Sequence, residues 1–108
     1  MADRMELRIA PALETLRALA AAAEIDLVFI GADKPGYAAY WAELVPRVRP
    51  GGLLLADNVL WSGQITDPEA TDANTTALRA FNDLVASDER VDAVVLTAFD
   101  GLTIARRR

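Results

Sequence analysis

An aspartate and an asparagine, Asp57 and Asn58, directly follow a short run that is wholly apolar, Leu53 to Ala56. A Pro-Gly-Gly stretch precedes the run, and the lack of polar alternation indicates a strand covered on both faces, as in a parallel sheet. Ligands of open α/β sheets bind at the carboxyl ends of the strands. The two oxygen-bearing side chains would therefore point into a ligand crevice. A strand-terminating Asx turn is the alternative interpretation.

The composition narrows the chemistry available to such a crevice. The chain has no cysteine and no histidine, which excludes disulfides, thiolate catalysis, the usual zinc sites and a Ser-His-Asp triad. A metal would have to be a hard, oxygen-bound cation such as Mg²⁺ or Ca²⁺. The formal net charge of −5 argues against nucleic-acid binding. Because no apolar stretch reaches transmembrane length, we expect no membrane partner and predict a soluble cytoplasmic protein.

Two other stretches also fall where a predicted strand ends. They are Ala10-Pro11-Ala12 and Gly31-Ala32-Asp33-Lys34. Tyr37 and Trp61 are near in sequence, so all of these residues could line one crevice. Taken alone, Lys34 would more simply be an exposed loop lysine, and Tyr37 a core residue of a helix.

Apolar periodicity predicts alternating strands and helices in the order β-α-β-α-β-α-β-β. The expected ranges are a strand near 5–9, a helix over 12–23, a strand over 25–30, a helix from 37 that Pro46 kinks or ends, and the strand before Asp57. Next comes a long loop over 58–74, and a loop of that length is usually functional or mobile. It is followed by a helix to about 86 and by strands over 91–98 and 102–105, which are joined through Asp100-Gly101. This order predicts one α/β domain over residues 1–108, with a mainly parallel sheet and a C-terminal antiparallel hairpin.

Four stretches together resemble the C-terminal portion of the caffeoyl-CoA and catechol type O-methyltransferases. They are Ile25–Ile30, Ala32-Asp33-Lys34 with Tyr37, residues 50–63 including Asp57-Asn58-Val59-Leu60-Trp61, and Asp100–Ala105. The resemblance implies a Rossmann-like methyltransferase fold, S-adenosylmethionine as methyl donor, and Mg²⁺ or Ca²⁺ as cofactor. It also implies methyl transfer to a hydroxyl of a catechol-like or phenolic small molecule.

The resemblance also implies roles for individual residues. Asp57 and Asn58 resemble two of three metal ligands, and Asp33 is a candidate for the remaining position. Lys34 resembles the residue that takes the hydroxyl proton, and Trp61, with Tyr37, a wall of the acceptor pocket. Ala10, Pro11, Ala12 and Ala32 resemble segments that touch the methyl donor.

The sequence departs from the family pattern in two ways. Gly31 stands where the family has the aspartate that is its third metal ligand, so we expect weak metal binding. No Gly-x-Gly pattern occurs, and the family's first two strands, which hold the donor, have no counterpart. We therefore expect the isolated chain to bind S-adenosylmethionine too weakly to measure.

Two hypotheses remain open at this stage. The chain is either an O-methyltransferase polypeptide that needs its missing N-terminal half, or a catalytically inactive remnant that self-associates. In the expected fold the strand over 25–30 has an open, apolar edge, which predicts a homodimer or higher oligomer. The strand near 5–9 could instead close that edge within one chain.

Overall fold

The computed structural model describes residues 12–19, 22–31 and 33–108. The helices and strands are, in chain order, α1 (Ala12–Ala18), β1 (Ile25–Ile30), α2 (Tyr37–Leu44), β2 (Val48–Asp57), α3 (Ala73–Ser87), β3 (Val91–Leu96) and β4 (Leu102–Arg107). Short 3₁₀ turns occupy Lys34–Gly36, Val45–Arg47 and Trp61–Thr66. α1 ends at Ala18, before the predicted boundary at Ala23. The backbone nitrogen of Glu24 donates to the carbonyl oxygen of Arg47 at 3.1 Å. The predicted strand near 5–9 lies outside the described residues.

The four described strands form one sheet in the order β1-β2-β4-β3. β1 pairs with β2 in parallel, whereas β4 pairs antiparallel with both β2 and β3. Because β4 alone is reversed, three of these four strands run in one direction. The predicted α/β class, with a mainly parallel sheet and a C-terminal antiparallel hairpin, is confirmed.

The Pro-Gly-Gly stretch lies inside β2 rather than before it. β2 begins at Val48, and its register with β1 jumps from Val48 to Leu53 across the stretch. Gly51 has a φ of +83° there, a conformation that glycine adopts without steric cost. The predicted turn is therefore an irregularity within a longer strand. Pro46 does end α2, which stops at Leu44 and continues as a 3₁₀ turn.

The core lies on the face of the sheet that α2 and α3 cover. Tyr37, Trp41 and Phe81 are fully buried, and the ring of Phe81 meets the other two edge-on, with centroids 5.3 Å and 5.7 Å apart. Leu54 of β2 is buried against the same cluster. Edge-to-face contacts fix ring orientation in addition to burying apolar area. The side chain of Tyr37 is therefore held rigidly at the start of α2.

The opposite face of the sheet is apolar and exposed. We call it the open face, and its most exposed members are Leu27 (58%), Phe29 (62%) and Val94 (60%). The prediction that both faces are covered is therefore wrong for the part of the chain that the structure describes. None of the described helices is long and apolar enough to cross a membrane.

Candidate functional site

The ends of β1 and β2 place the candidate residues at one edge of the sheet. Ile30, the last residue of β1, is the register partner of Ala56, next to the end of β2. Parallel neighbours end at the same edge. Gly31, which follows Ile30, therefore leaves the sheet beside Asp57 and Asn58.

The side chains of Asp57 and Asn58 both make hydrogen bonds within the protein. The carboxylate of Asp57 accepts a hydrogen bond from the backbone N–H of Asn58, the next residue, at 2.9 Å. An Asx turn would instead use the N–H two residues on, so this bond does not confirm the alternative interpretation. The side-chain amide of Asn58 donates to a carboxylate oxygen of Asp100 at 3.0 Å. That bond uses the nitrogen of the Asn58 amide, so its oxygen is the atom available to a cation.

Asp100 is the residue of this site that the sequence did not assign a role. One of its carboxylate oxygens accepts the Asn58 amide, and the other accepts the backbone N–H of Ser62. These bonds, together with the charge of Lys34, hold the pKa of the Asp100 carboxyl below its ordinary value. Its sequence signal was that of a hairpin turn, and its partners are 42 and 38 residues away. Sequence spacing therefore gave no indication of this role.

The backbone of the hairpin turn also contacts the loop after β2. The N–H of Leu60 donates to the carbonyl of Asp100 at 2.9 Å, and the N–H of Val59 to that of Gly101 at 3.3 Å. A Cβ atom at Gly101 would lie 2.5 Å from the Leu60 side chain. Glycine at this position is therefore required for the close approach of turn and loop.

The loop after β2 holds an unusual backbone conformation. Asn58, Trp61 and Ser62 have φ angles of +58°, +50° and +54°. Left-handed conformations cost roughly 1–2 kcal/mol for residues other than glycine, and surrounding contacts must offset that cost. Asp100 supplies such contacts on one side, and on the other the Asn82 amide donates to the Val59 carbonyl at 3.0 Å. The segment that was predicted to be a long functional or mobile loop is anchored at both of these points.

Lys34 contacts the side chains of Tyr37 and Trp61. Its Nζ donates to the hydroxyl of Tyr37 at 2.9 Å and lies 4.9 Å from the centroid of that ring. The centroid of the Trp61 ring is 5.7 Å away, within the range of a cation–π contact. The structure therefore brings Lys34, Tyr37 and Trp61 together, and the interpretation of Lys34 as a simple exposed loop lysine is wrong.

Tyr37 is fully buried, and its hydroxyl is the polar end of a core residue. The hydroxyl donates to the backbone carbonyl of Asp57 at 2.9 Å, and the carbonyl of Ile30 is 3.4 Å away. Its direct contact with an acceptor stays a prediction. What the structure shows is a link between Lys34 and the end of β2.

Asp33 follows β1, and its place beside Asp57 and Asn58 in a metal site stays a prediction. Asp33 is exposed and accepts a hydrogen bond of 3.5 Å from the hydroxyl of Tyr40. Burial, and then the charge and hydrogen bond of Asp33, raise the pKa of Tyr40. No three acidic side chains within the described ranges are grouped to hold a metal ion. A Cβ atom at Gly31 would lie 2.9 Å from the ring of Phe29.

Asp57 and Asn58 could still hold a hard cation by themselves. They offer one carboxylate and one amide oxygen at adjacent positions, and Mg²⁺ is commonly bound through one or two carboxylates with water in its other positions. The two residues therefore fit a weak divalent cation site. Of the segments expected near the methyl donor, Ala12 begins α1, whereas Ala10, Pro11 and Ala32 lie outside the described residues.

Comparison with known proteins gives a consistent result. The sequence model of the family described as "O-methyltransferase" matches residues 1–108. "Probable caffeoyl-CoA O-methyltransferase 1" of Dictyostelium discoideum is 39% identical over an alignment of 108 positions. The alignment covers 96% of this chain and 47% of that protein. The chain spans about half the length of the relatives that it matches.

Solved structures with about a third of their residues identical to this chain share its fold. Cofactor-bound Rv0187 from MTB superimposes with a TM-score of 0.87 at 35% identity, over 99% of this chain and 50% of that one. The SAH-bound methyltransferase PaMTH1 of Podospora anserina gives a TM-score of 0.78 at 33% identity, over 92% and 47%. Because the family model matches every residue of the sequence, this chain belongs to the O-methyltransferase family.

Proposed function

We propose that this chain carries the acceptor side of an S-adenosylmethionine-dependent O-methyltransferase acting on a hydroxyl of a catechol-like or phenolic small molecule. One observation carries the proposal. An amine, an indole ring and two oxygen ligands, from Lys34, Trp61 and Asp57-Asn58, converge on one sheet edge. The family match and the SAH-bound relative support methyl transfer from S-adenosylmethionine.

Lys34 is the proposed general base. In its amine form Nζ accepts the proton of the acceptor hydroxyl, and the oxygen then attacks the sulfonium methyl group as the carbon–sulfur bond breaks. A positioned base of this kind typically contributes 10²–10⁴-fold, roughly, to the rate. The neighbouring rings of Tyr37 and Trp61 restrict where the side chain can lie.

Asp57 and Asn58 would hold a divalent cation beside that base. Such a cation would supply positive charge that stabilises a phenolate, including that of a vicinal diol. The half-buried Trp61 offers a flat apolar surface for the acceptor ring on the same side. These contacts favour aromatic diols over isolated aliphatic hydroxyls as acceptors.

Binding of 4-nitrocatechol tests the acceptor site without a methyl donor. Its ionisation changes its visible absorption, so titration with the chain and Mg²⁺ should show saturable binding with ionisation at lower pH than in free solution. Lys34→Met should reduce the shift in ionisation to the part that Mg²⁺ supplies. Arg49→Met, which removes an exposed cation paired with Asp26, should leave it unchanged. Absence of saturable binding, or an unchanged shift in Lys34→Met, would overturn the proposal.

We also propose that a second copy of the chain covers the open face. Besides exposed apolar residues, this surface carries Asp92 beside Arg106, which are directly opposed on β3 and β4 and lie 3.3 Å apart. Two copies related by a twofold axis present the same patch to each other, so adjacent charges of both signs can pair across it. This surface favours self-association, the property expected of an inactive remnant, but is compatible with either hypothesis.

A further inference from the structure

We infer that Tyr37 is a positioning residue that fixes Lys34 relative to the Asp57-Asn58 pair. The inference rests on the proposed function, because it assigns Lys34 the role of base. The base and the candidate cation ligands belong to different elements, one before α2 and the other at the end of β2. The hydroxyl of Tyr37 contacts both Lys34 Nζ and the backbone carbonyl of Asp57.

The polarity of this link is determined by the number of protons on the hydroxyl. A tyrosine hydroxyl has one proton to donate and lone pairs to accept with. Its proton goes to the carbonyl of Asp57 at 2.9 Å, so the oxygen receives the hydrogen bond from Lys34 Nζ, also at 2.9 Å. The link therefore runs in one direction, from Lys34 through Tyr37 to the backbone of Asp57.

The ring of Tyr37 makes the link rigid. It is fully buried and meets Phe81 edge-on at 5.3 Å. The turn between Lys34 and Tyr37 is also tightly packed, since a Cβ atom at Gly36 would lie 2.8 Å from the ring of Tyr40. A small error in the position of a catalytic group can cost about 10²-fold in rate. A buried anchor for a long, flexible lysine side chain prevents such an error.

The composition of the chain makes this inference directly testable. Lys34 is its only lysine, and Tyr37 and Tyr40 are its only tyrosines. An amine-specific acylating reagent therefore modifies one side chain, that of Lys34. The N-terminal amine is also modified and serves as an internal reference. Tyr37→Phe keeps the buried ring and removes only the hydroxyl. Tyr40→Phe is the matched control, because the Tyr40 hydroxyl contacts Asp33.

The experiment measures the acylation rate of Lys34 by mass spectrometry in the three chains, without donor or cation. We expect the rate to rise about two- to tenfold in Tyr37→Phe, the factor that corresponds to one lost hydrogen bond, and to stay unchanged in Tyr40→Phe. An equal rate in a Tyr37→Phe chain with native circular dichroism would overturn the inference.

A second measurement applies if Tyr37→Phe does not fold. In the unmodified chain, nuclear Overhauser contacts should connect the Cε protons of Lys34 with the ring of Tyr37, and their absence would overturn the inference. Both measurements are independent of the proposed function. If they succeed while the ionisation shift of bound nitrocatechol is unchanged in Lys34→Met, the positioning stands and the role of Lys34 as base fails.

Discussion

Exchanging the two partners of the Asn58–Asp100 hydrogen bond tests whether that bond fixes the loop after β2. In the native chain the Asn58 amide donates to the Asp100 carboxylate at 3.0 Å. Asp100→Asn would replace one of the two accepting oxygens by a donating NH₂ group, so either the Asn58 amide or the Ser62 N–H would face another donor. Asn58→Asp would set two carboxylates against each other. The double variant restores one amide and one carboxylate with their positions reversed.

The magnitudes follow from the geometry of this pair. A hydrogen bond to a charged group contributes about 1.5–3 kcal/mol, and screening at these half-buried side chains reduces the expected loss in Asp100→Asn to about 1–2 kcal/mol. In Asn58→Asp, two charges about 3 Å apart repel by about 1.4 kcal/mol even at the dielectric constant of water. Independent effects would sum to roughly 2.5–3.5 kcal/mol. The double variant should lose less than about 1 kcal/mol, which leaves a coupling energy of about 2 kcal/mol.

Urea unfolding of the four chains at neutral pH and one chain concentration measures this coupling. Asn58→Asp combined with Asp92→Asn is the control, because Asp92 lies at the start of β3 and pairs with Arg106 and Arg108. That control pair should be additive within about 0.5 kcal/mol. If the Asn58–Asp100 exchange were also additive, contacts other than this bond would have to fix the loop.

Metal affinity, loop stability, association and acid sensitivity each depend on one residue that can be changed. Mg²⁺ should bind weakly to the unmodified chain by calorimetry, and Gly31→Asp should tighten binding about tenfold, or about 1.4 kcal/mol, once the exposed Phe29 ring moves aside. Ser62→Gly should raise the free energy of unfolding by about 0.5–1 kcal/mol, since it removes a left-handed penalty larger than the added chain entropy. Phe29→Ser should lower the mass measured by light scattering, because it removes a large apolar side chain from the open face. Asp88 has its pKa held well below its ordinary value, first by Arg90 and also by the indole of Trp41. Its stabilisation is therefore present above the ordinary aspartate pKa of about 4 and lost as pH falls through the lower folded value, and Asp88→Asn should flatten that acid-side loss.

Matched substitutions separate these effects from general perturbation. They are Gly31→Ala for the carboxylate, Ser87→Gly for the glycine, Leu84→Ser for the apolar residue, and Asp83→Asn for the acid. Gly31→Ala should not improve Mg²⁺ affinity, and Ser87→Gly in α3 should destabilise the chain. A monomeric mass for the unmodified chain, tight Mg²⁺ binding without Gly31→Asp, or equal acid profiles for the two aspartate variants would contradict the respective predictions.

The fold was predictable because the apolar pattern and the order of elements agree with one another. The uninterrupted run before Asp57 and the alternation with helices indicated a parallel pair, and Asp100-Gly101 indicated the hairpin. The errors arose where tertiary contacts override local pattern. The Pro-Gly-Gly stretch lies within β2, at the break in its register with β1, despite its composition. Apolar residues such as Phe29 are exposed although they look like core positions in sequence.

The candidate site was predictable only in part, for the same physical reason. Asp57, Asn58 and Lys34 stand at strand ends, which sequence reveals. The hydroxyl of Tyr37 and the carboxylate of Asp100 act across distances of 20 and 42 residues. No local periodicity encodes such contacts, because they depend on how the elements pack.

The groups proposed to act on an acceptor come from segments far apart in sequence. Hydrogen bonds of Tyr37 and Asp100 connect these segments. Tyr37 joins Lys34 to the end of β2, and Asp100 joins Asn58 to the turn between β3 and β4. Because the Tyr37 ring is anchored in the core by Phe81, the position of the proposed base depends on α2 and α3 as well as on Trp61 in the loop after β2. The spacing between the proposed base and the proposed cation ligands is therefore determined by the described residues. A defect in donor binding would leave that spacing intact, so the two steps can be tested separately.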